Sequence, residues 1–177
     1  MEKELFPVQI SPDFSAWLQQ LRTELGTRIF KADEAITGLP QVNEASRGYP
    51  ALPYAPEELE GLADEDSFTV ELTRLINQHW QGTKRELCER ALLLENTFYK
   101  IQSGKRAPGR DTLICLALAL KLSREEANHL LGYFGYALGE AYKRDYIILR
   151  SLDRGRLPQE VNLLLAEYRL KLLGEEL

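Results

Sequence analysis

Thr83-Lys84-Arg85-Glu86-Leu87-Cys88-Glu89-Arg90-Ala91-Leu92-Leu93-Leu94-Glu95-Asn96-Thr97-Phe98-Tyr99-Lys100-Ile101-Gln102-Ser103-Gly104 is the stretch that decides the fold of this chain. Thr83 reads as the cap of a short helix, because its hydroxyl can accept from a free first-turn amide. Leu87, Cys88 and Ala91 then fall on one side of that helix. The apolar period breaks at Leu92-Leu93-Leu94. It resumes at Phe98 and Ile101 and stops at Gly104, where a left-handed residue can close a helix. Pro108 blocks simple continuation. Two short helices across a tight break make a helix-turn-helix layout. Small residues at Cys88 and Ala91 allow close approach, and Phe98 and Ile101 anchor the second helix while its opposite face stays free.

The same reading extends outward in both directions. Asp66 or Ser67 is placed to cap a helix with Phe68, Leu72, Leu75, Ile76 and His79 on one face. Asp111 opens a helix with Leu113, Leu116, Ala117 and Leu120 inward. Ser123 with Glu126 forms a capping box for a helix whose core face is Ala127, Leu130 and Leu131. Nearer the N-terminus, Ser11-Pro12-Asp13 reads as a helix start, with Phe14, Trp17, Leu18, Leu21 and Leu25 sharing a face and Gly26 placed to end it. A shorter helix is expected over about residues 28–37. Residues 40–56 hold Pro50, Pro53 and Pro56 with Gly48, a density of proline that excludes regular helix. Two helices are expected over about 140–152 and 158–173. The last carries Val161, Leu164, Leu165, Tyr168 and Leu172 in one stripe, with Leu163, Leu170 and Leu173 outside it. Such a helix is either centrally buried or at a subunit interface. Sustained period-two alternation and hairpin dipeptides are missing, so the chain reads as all-α.

The chain has 177 residues, 44% hydrophobic and 28% charged, a globular composition. Its longest apolar run, residues 113–120, is far short of the roughly 18 a membrane span needs. Two cysteines, Cys88 and Cys115, cannot form a disulfide framework and read as buried free thiols, which points to a reducing cytoplasm. The net charge of −5 is unevenly spread. Residues 1–66 carry −8, residues 67–124 carry +5 and residues 125–177 carry −2. A basic module therefore lies between acidic flanks. The local charge decides which polyion can approach, because exposed charges are screened beyond roughly 8–10 Å.

Enzyme chemistry finds no constellation here. His79 and His129 lack a Cys, Ser or carboxylate at motif spacing, and no paired Cys or His can build a zinc site. Gly104-Lys105 lacks the upstream glycine of a phosphate loop, position 99 being Tyr. Gly132, Gly135 and Gly139 do not follow a strand, so they are no dinucleotide fingerprint and instead end or kink a helix. The expectation is a non-enzymatic protein without cofactor or metal.

Residues 68–131 resemble the lambda-repressor-like (XRE-type) helix-turn-helix family. Thr83-Lys84-Arg85-Glu86-Leu87-Cys88 falls where that family has Thr-Gln-x-Glu-Leu-Ala. Phe98 to Pro108 falls on its Ile-Ser-x-Ile-x-x-Gly-Lys-Arg-x-Pro segment, and Leu113, Leu116, Ala117, Leu120 and Ser123 match its fourth and fifth helices. The segments through Gly132-Tyr133 and Arg144-Asp145-Tyr146 are similar to a bacterial subgroup with a helical extension after this domain. The resemblance implies a lambda-repressor-like five-helix DNA-binding domain over residues 64–135. Around it lie an acidic N-terminal region, 1–63, and a helical C-terminal extension, 136–177.

It also implies roles. Lys84 takes the place of a Gln that meets a phosphate, and Arg85 lies beside it. Glu95, Asn96, Thr97 and Lys100 take the positions that face bases, with Tyr99 on the same surface. Lys105, Arg106 and Arg110 would meet backbone phosphates. Asn96 suits adenine, Lys100 guanine and Glu95 the cytosine amino group. Three positions depart from the family pattern. Leu92 stands at the usual turn glycine, Leu94 at the usual Ser or Thr cap, and Glu95 sets an anion near a polyanion. These fit either an unusual operator or a scaffold that has lost its DNA surface.

The expected function is a cytoplasmic, sequence-specific transcriptional regulator that binds double-stranded DNA, with no membrane partner. The alternative is a protein-interaction adaptor that keeps the helix-turn-helix scaffold without DNA contacts. Homodimerisation is expected through the 158–173 stripe, unless that stripe is buried within one subunit. The acidic N-terminal region is expected either to compete with DNA for the basic module or to recruit a protein partner.

Overall fold

The computed structural model describes residues 13–30 and 65–174, with residues 65–67 described by their backbone only. Every regular element among the described residues is an α-helix, so the described fold is all-α. In chain order these are α1 (Phe14–Thr27), α2 (Glu65–His79), α3 (Lys84–Arg90), α4 (Glu95–Gln102), α5 (Arg110–Ala119), α6 (Arg124–Gly132), α7 (Lys143–Asp153) and α8 (Pro158–Glu167). Among the described residues, no helix is long and apolar enough to cross a membrane.

The core is organised around α5. Leu113 to Ala119 are buried on every side of the helix, because α6, α7 and α8 all pack against it. The sequence pattern placed only Leu113, Leu116, Ala117 and Leu120 inward. Ile114, Cys115 and Leu118 are buried as well, since the C-terminal helices cover the side that a five-helix domain alone would leave to solvent. Helix α2 packs against α4 and α6, and α3 against α4.

Capping sets several of the boundaries. Thr83 Oγ1 accepts from the Glu86 amide, and the Glu86 carboxylate accepts from the Thr83 amide at 2.7 Å. Ser123 and Glu126 repeat the arrangement at α6. Those amide bonds hold both glutamate carboxyls below their ordinary range. His79 of α2 adds a 3.1 Å contact to Glu126, tying α2 to the start of α6.

Several boundaries differ from the sequence expectation. Helix α2 begins at Glu65, so Asp66 and Ser67 lie within its first turn rather than capping it. Helix α1 begins at Phe14 with Asp13 at the cap position. The Asp13 carboxylate makes no cap bond and instead meets Arg156 at 2.9 Å. Gly26 is helical, and α1 ends one residue later. Arg28 is extended, so the helix expected from residue 28 does not start there; residues 31–37 and the proline-rich segment 40–56 lie outside the described residues. Helix α7 starts at Lys143 rather than near 140.

Helix α8 stops at Glu167 rather than near 173. Arg169 takes a left-handed φ of 54°, and the Leu170 amide returns to the Leu165 carbonyl at 2.8 Å, a left-handed helix stop made without glycine. The chain then folds back along α8. Asn162 clamps Leu173 with two bonds, accepting from its amide at 2.7 Å and donating to its carbonyl at 3.0 Å. Val161, Leu164, Leu165 and Leu173 are thereby buried inside the chain. Four of the residues expected at a dimer seam are thus used in the core, while Tyr168, Leu170 and Leu172 are half-buried and Leu163 is exposed.

Helix α1 joins the same core through Phe14, Trp17, Leu21 and Leu25. The Arg156 guanidinium lies 4.8 Å from the Trp17 ring centroid and 5.4 Å from that of Phe14, so a nearly buried cation sits on two aromatic faces.

Candidate nucleic-acid interface

The two motif helices meet through Leu87, Cys88, Ala91, Phe98 and Ile101, all buried. Between them the chain reverses at Leu92, whose φ is +55°. The Leu93 amide donates to the Cys88 carbonyl at 2.9 Å, closing the end of α3. A left-handed backbone disfavours a side chain by roughly 1–2 kcal/mol. The turn therefore has the geometry that glycine relaxes, but here it carries leucine. Gln159 of α8 donates to the carbonyls of Glu89 and Arg90 at 3.3 Å each. The C-terminal extension thus braces the end of α3, and with it the angle between the motif helices.

Leu94 occupies the cap position of α4 and offers no side-chain bond to the free amides. Glu95, Asn96, Tyr99 and Lys100 are exposed on the outer face of α4, and Thr97 is half-buried. Phe98 and Ile101 supply the inner face. Past the helix, Gly104 has φ +70°. The amides of Lys105 and Arg106 both return to the Lys100 carbonyl, at 2.8 and 3.1 Å. This double closure fixes two exposed cations beside the exit of α4.

Lys84 lies at the start of α3 and reaches across to α4. Its Nζ is 3.1 Å from Gln102 Oε1 and 5.3 Å from the Tyr99 ring centroid. Arg85 is exposed but turned toward two carboxylates, Glu89 at 3.1 Å and Glu95 at 3.9 Å. Among the described residues, Lys84, Lys100, Lys105 and Arg106 have no acidic partner within ion-pair distance. The surface thus joins four cations that have no acidic partner to an amide, Asn96, and an aromatic ring, Tyr99, along the length of α4.

Arg110 departs from the set. Its guanidinium is turned inward, donating to Asp145 Oδ2 at 2.7 Å and to the Ala137 carbonyl at 2.9 Å. Only 18% of its side chain is exposed, and 10% of that of Asp145. Arg144 reciprocates from α7, forking onto both oxygens of Asp111 at 3.0 Å. These crossed pairs tie the first turn of α5 to α7, so the Arg110 charge is spent on the fold and not offered to a phosphate.

Sequence reasoning placed Leu94 at the helix start but missed its exposure and the depression beside it. Leu94 is 64% exposed, an unusual placement for leucine at a helix start. Beside the turn lies an open depression of about 450 Å³, lined by Cys88, Leu92, Leu93, Leu94, Leu172 and Leu173 among others. The run of three leucines was the only signal in the sequence for either.

Comparison with protein-family models, with curated proteins and with solved structures returns no match for this chain.

Proposed function

We propose that this chain is a lambda-repressor-like helix-turn-helix protein that binds double-stranded DNA and regulates transcription, reading bases in the major groove through α4. The observation that carries the reading is the division of α4 into two faces. Phe98 and Ile101 hold one face in the core, while Asn96, Lys100, Lys105 and Arg106 leave the other free and basic. An α-helix fits the major groove, and in a helix-turn-helix the N-terminal residues of the second helix reach base edges. Lys84 on α3 and Lys105 and Arg106 beyond the exit of α4 flank the helix as phosphate contacts would. In this reading Asn96 pairs with adenine and Lys100 with guanine. The work is done in the cytoplasm, by two copies on paired half-sites, because one such module spans only a few base pairs.

Selection from a random duplex library with the full chain at physiological salt tests this. Enrichment of one motif, with affinity falling steeply as salt rises, supports it. A second reading, a protein adaptor on the same scaffold, is favoured by Glu95, an anion on the outer face of α4 that also draws in Arg85. An adaptor would pass through immobilised heparin and random duplex at low salt without retention.

A further inference from the structure

We infer that Gln159 is a positioning residue for DNA recognition: from the first turn of α8 it sets the angle between α3 and α4. The inference rests on the DNA-binding reading above.

The turn between the motif helices does not hold itself. Leu92 stands at φ +55°, where a side chain is disfavoured. Local bonds close two of the last α3 carbonyls, that of Cys88 by the Leu93 amide at 2.9 Å and that of Glu89 by the Leu92 amide at 3.3 Å. A helix end leaves further carbonyls open. The Arg90 carbonyl is met from α8, by the Gln159 side-chain amide at 3.3 Å, which also reaches the Glu89 carbonyl at 3.3 Å.

Other contacts address α3 at the same place. The Arg90 guanidinium lies 5.4 Å from the Trp80 ring centroid, and Trp80 Nε1 donates to the Thr83 carbonyl at the start of α3 at 2.9 Å. Burial lowers the Arg90 value, and the charge of Glu160, next to Gln159 on α8, opposes that. Two consecutive α8 residues thus act on the end of α3, one on its backbone and one on its charge. Val161, Leu164 and Leu165 anchor α8 itself in the core.

Core packing alone explains Gln159 poorly. Its Oε1 is buried and finds no partner among the described residues, a cost that an apolar side chain of equal length avoids. What the amide adds here is the pair of bonds to α3. Lys84 is carried by α3, while Asn96 and Lys100 are carried by α4. In this motif the first helix crosses the DNA backbone and the second enters the groove, so both sets meet one duplex only at one interhelix angle. A brace on α3 therefore acts on sequence reading. General attraction to a polyanion depends on charge and is left alone.

The test compares the parent with Gln159→Met, which keeps side-chain length and helix propensity and removes both the donors and the unpartnered oxygen. Binding is measured well below the melting temperature, for the duplex enriched by the full-length protein and for random duplex. Gln159→Met should melt close to the parent. It should bind the enriched duplex about fivefold more weakly, the worth of one net hydrogen bond in the population of the competent angle. Random duplex should stay within about twofold of the parent, with an unchanged salt slope. The second background is Leu92→Gly, whose relaxed turn needs no brace. Adding Gln159→Met there should cost the enriched duplex less than about twofold. Equal weakening on both duplexes, an enriched-to-random ratio equal to the parent's, or a loss of the same size in the Leu92→Gly background overturns this inference and leaves the DNA-binding reading intact. A Gln159→Met chain that does not fold makes the residue merely structural and overturns it too. Failure to enrich any duplex overturns both.

Discussion

Glu24 of α1 accepts both prongs of the Arg150 guanidinium of α7, at 2.7 and 2.9 Å, and also the Tyr146 hydroxyl at 3.0 Å. The Arg150 bond is the main cause that holds the Glu24 carboxyl below its ordinary range. A carboxyl whose folded value is lowered adds stability that is complete above the unfolded value of about 4.3 and is lost as pH falls through the lowered one. Glu24→Gln should therefore be less stable than the parent by about 2 kcal/mol at pH 7. The gap should narrow as the parent itself is protonated below about pH 4. Urea unfolding at the two pH values measures it. An equal gap at both would assign the loss to packing and not to charge.

Removing residues 1–30 should cost far more. Phe14, Trp17, Leu21 and Leu25 lie in the common core, and removing this segment takes Asp13, Phe14 and Trp17 from Arg156 and Glu24 from Tyr146. The middle module has its own caps and core face, which argues from sequence that it folds alone. The packing of α1 argues that it is then markedly weakened. A shortened chain should melt well below the parent in calorimetry, and an unchanged melting temperature would show that α1 is dispensable.

Two left-handed leucine and lysine positions offer a stability gain. Lys121 has φ +54° at the end of α5 and is exposed, so glycine there relieves strain with little lost packing. Lys121→Gly should stabilise the chain by about 1 kcal/mol. Leu92→Gly should gain less, because the Leu92 side chain is half-buried against the depression beside Leu172. Denaturant midpoints of the two variants should rank in that order.

Both thiols should be slow to react in the folded chain. Burial pushes Cys88 up to about 11 and Cys115 up to about 12, with Glu95 adding to the first and Asp111 to the second. The thiolate is the reactive species, so at pH 8 labelling should follow unfolding. Cys88 lines the open depression and should be labelled first as denaturant rises. Rapid labelling of Cys115 in native buffer would contradict the buried placement.

What the sequence revealed and what it hid divides by distance along the chain. The starts of α3 and α6 follow from Thr83 with Glu86 and from Ser123 with Glu126, groups three residues apart whose bonds are local. The reversal at Leu92 to Leu94 was visible as a break in period. The end of α8 was not, because the apolar spacing runs on through Leu172 while a left-handed Arg169 carries no compositional mark. The inward turn of Arg110 was hidden for another reason. Its partner Asp145 lies 35 positions away, and only the packing of α7 onto α5 brings them together.

That hidden pair supplies the sharpest test of which cations belong to the interface. Lys100→Ala should lose discrimination at one base pair and cost about 1–3 kcal/mol on the enriched site. Lys105→Ala should weaken all duplexes alike and flatten the dependence of log affinity on log salt by about one unit. Arg110→Ala should do neither. It leaves Asp145 with the Gly139 amide at 3.1 Å as its remaining partner, and should lower stability by about 2 kcal/mol through the lost charged bond. Below its melting point the salt slope of Arg110→Ala should equal that of the parent. A slope reduced by one unit, in a variant of unchanged stability, would mean that Arg110 leaves Asp145 and meets a phosphate when DNA binds.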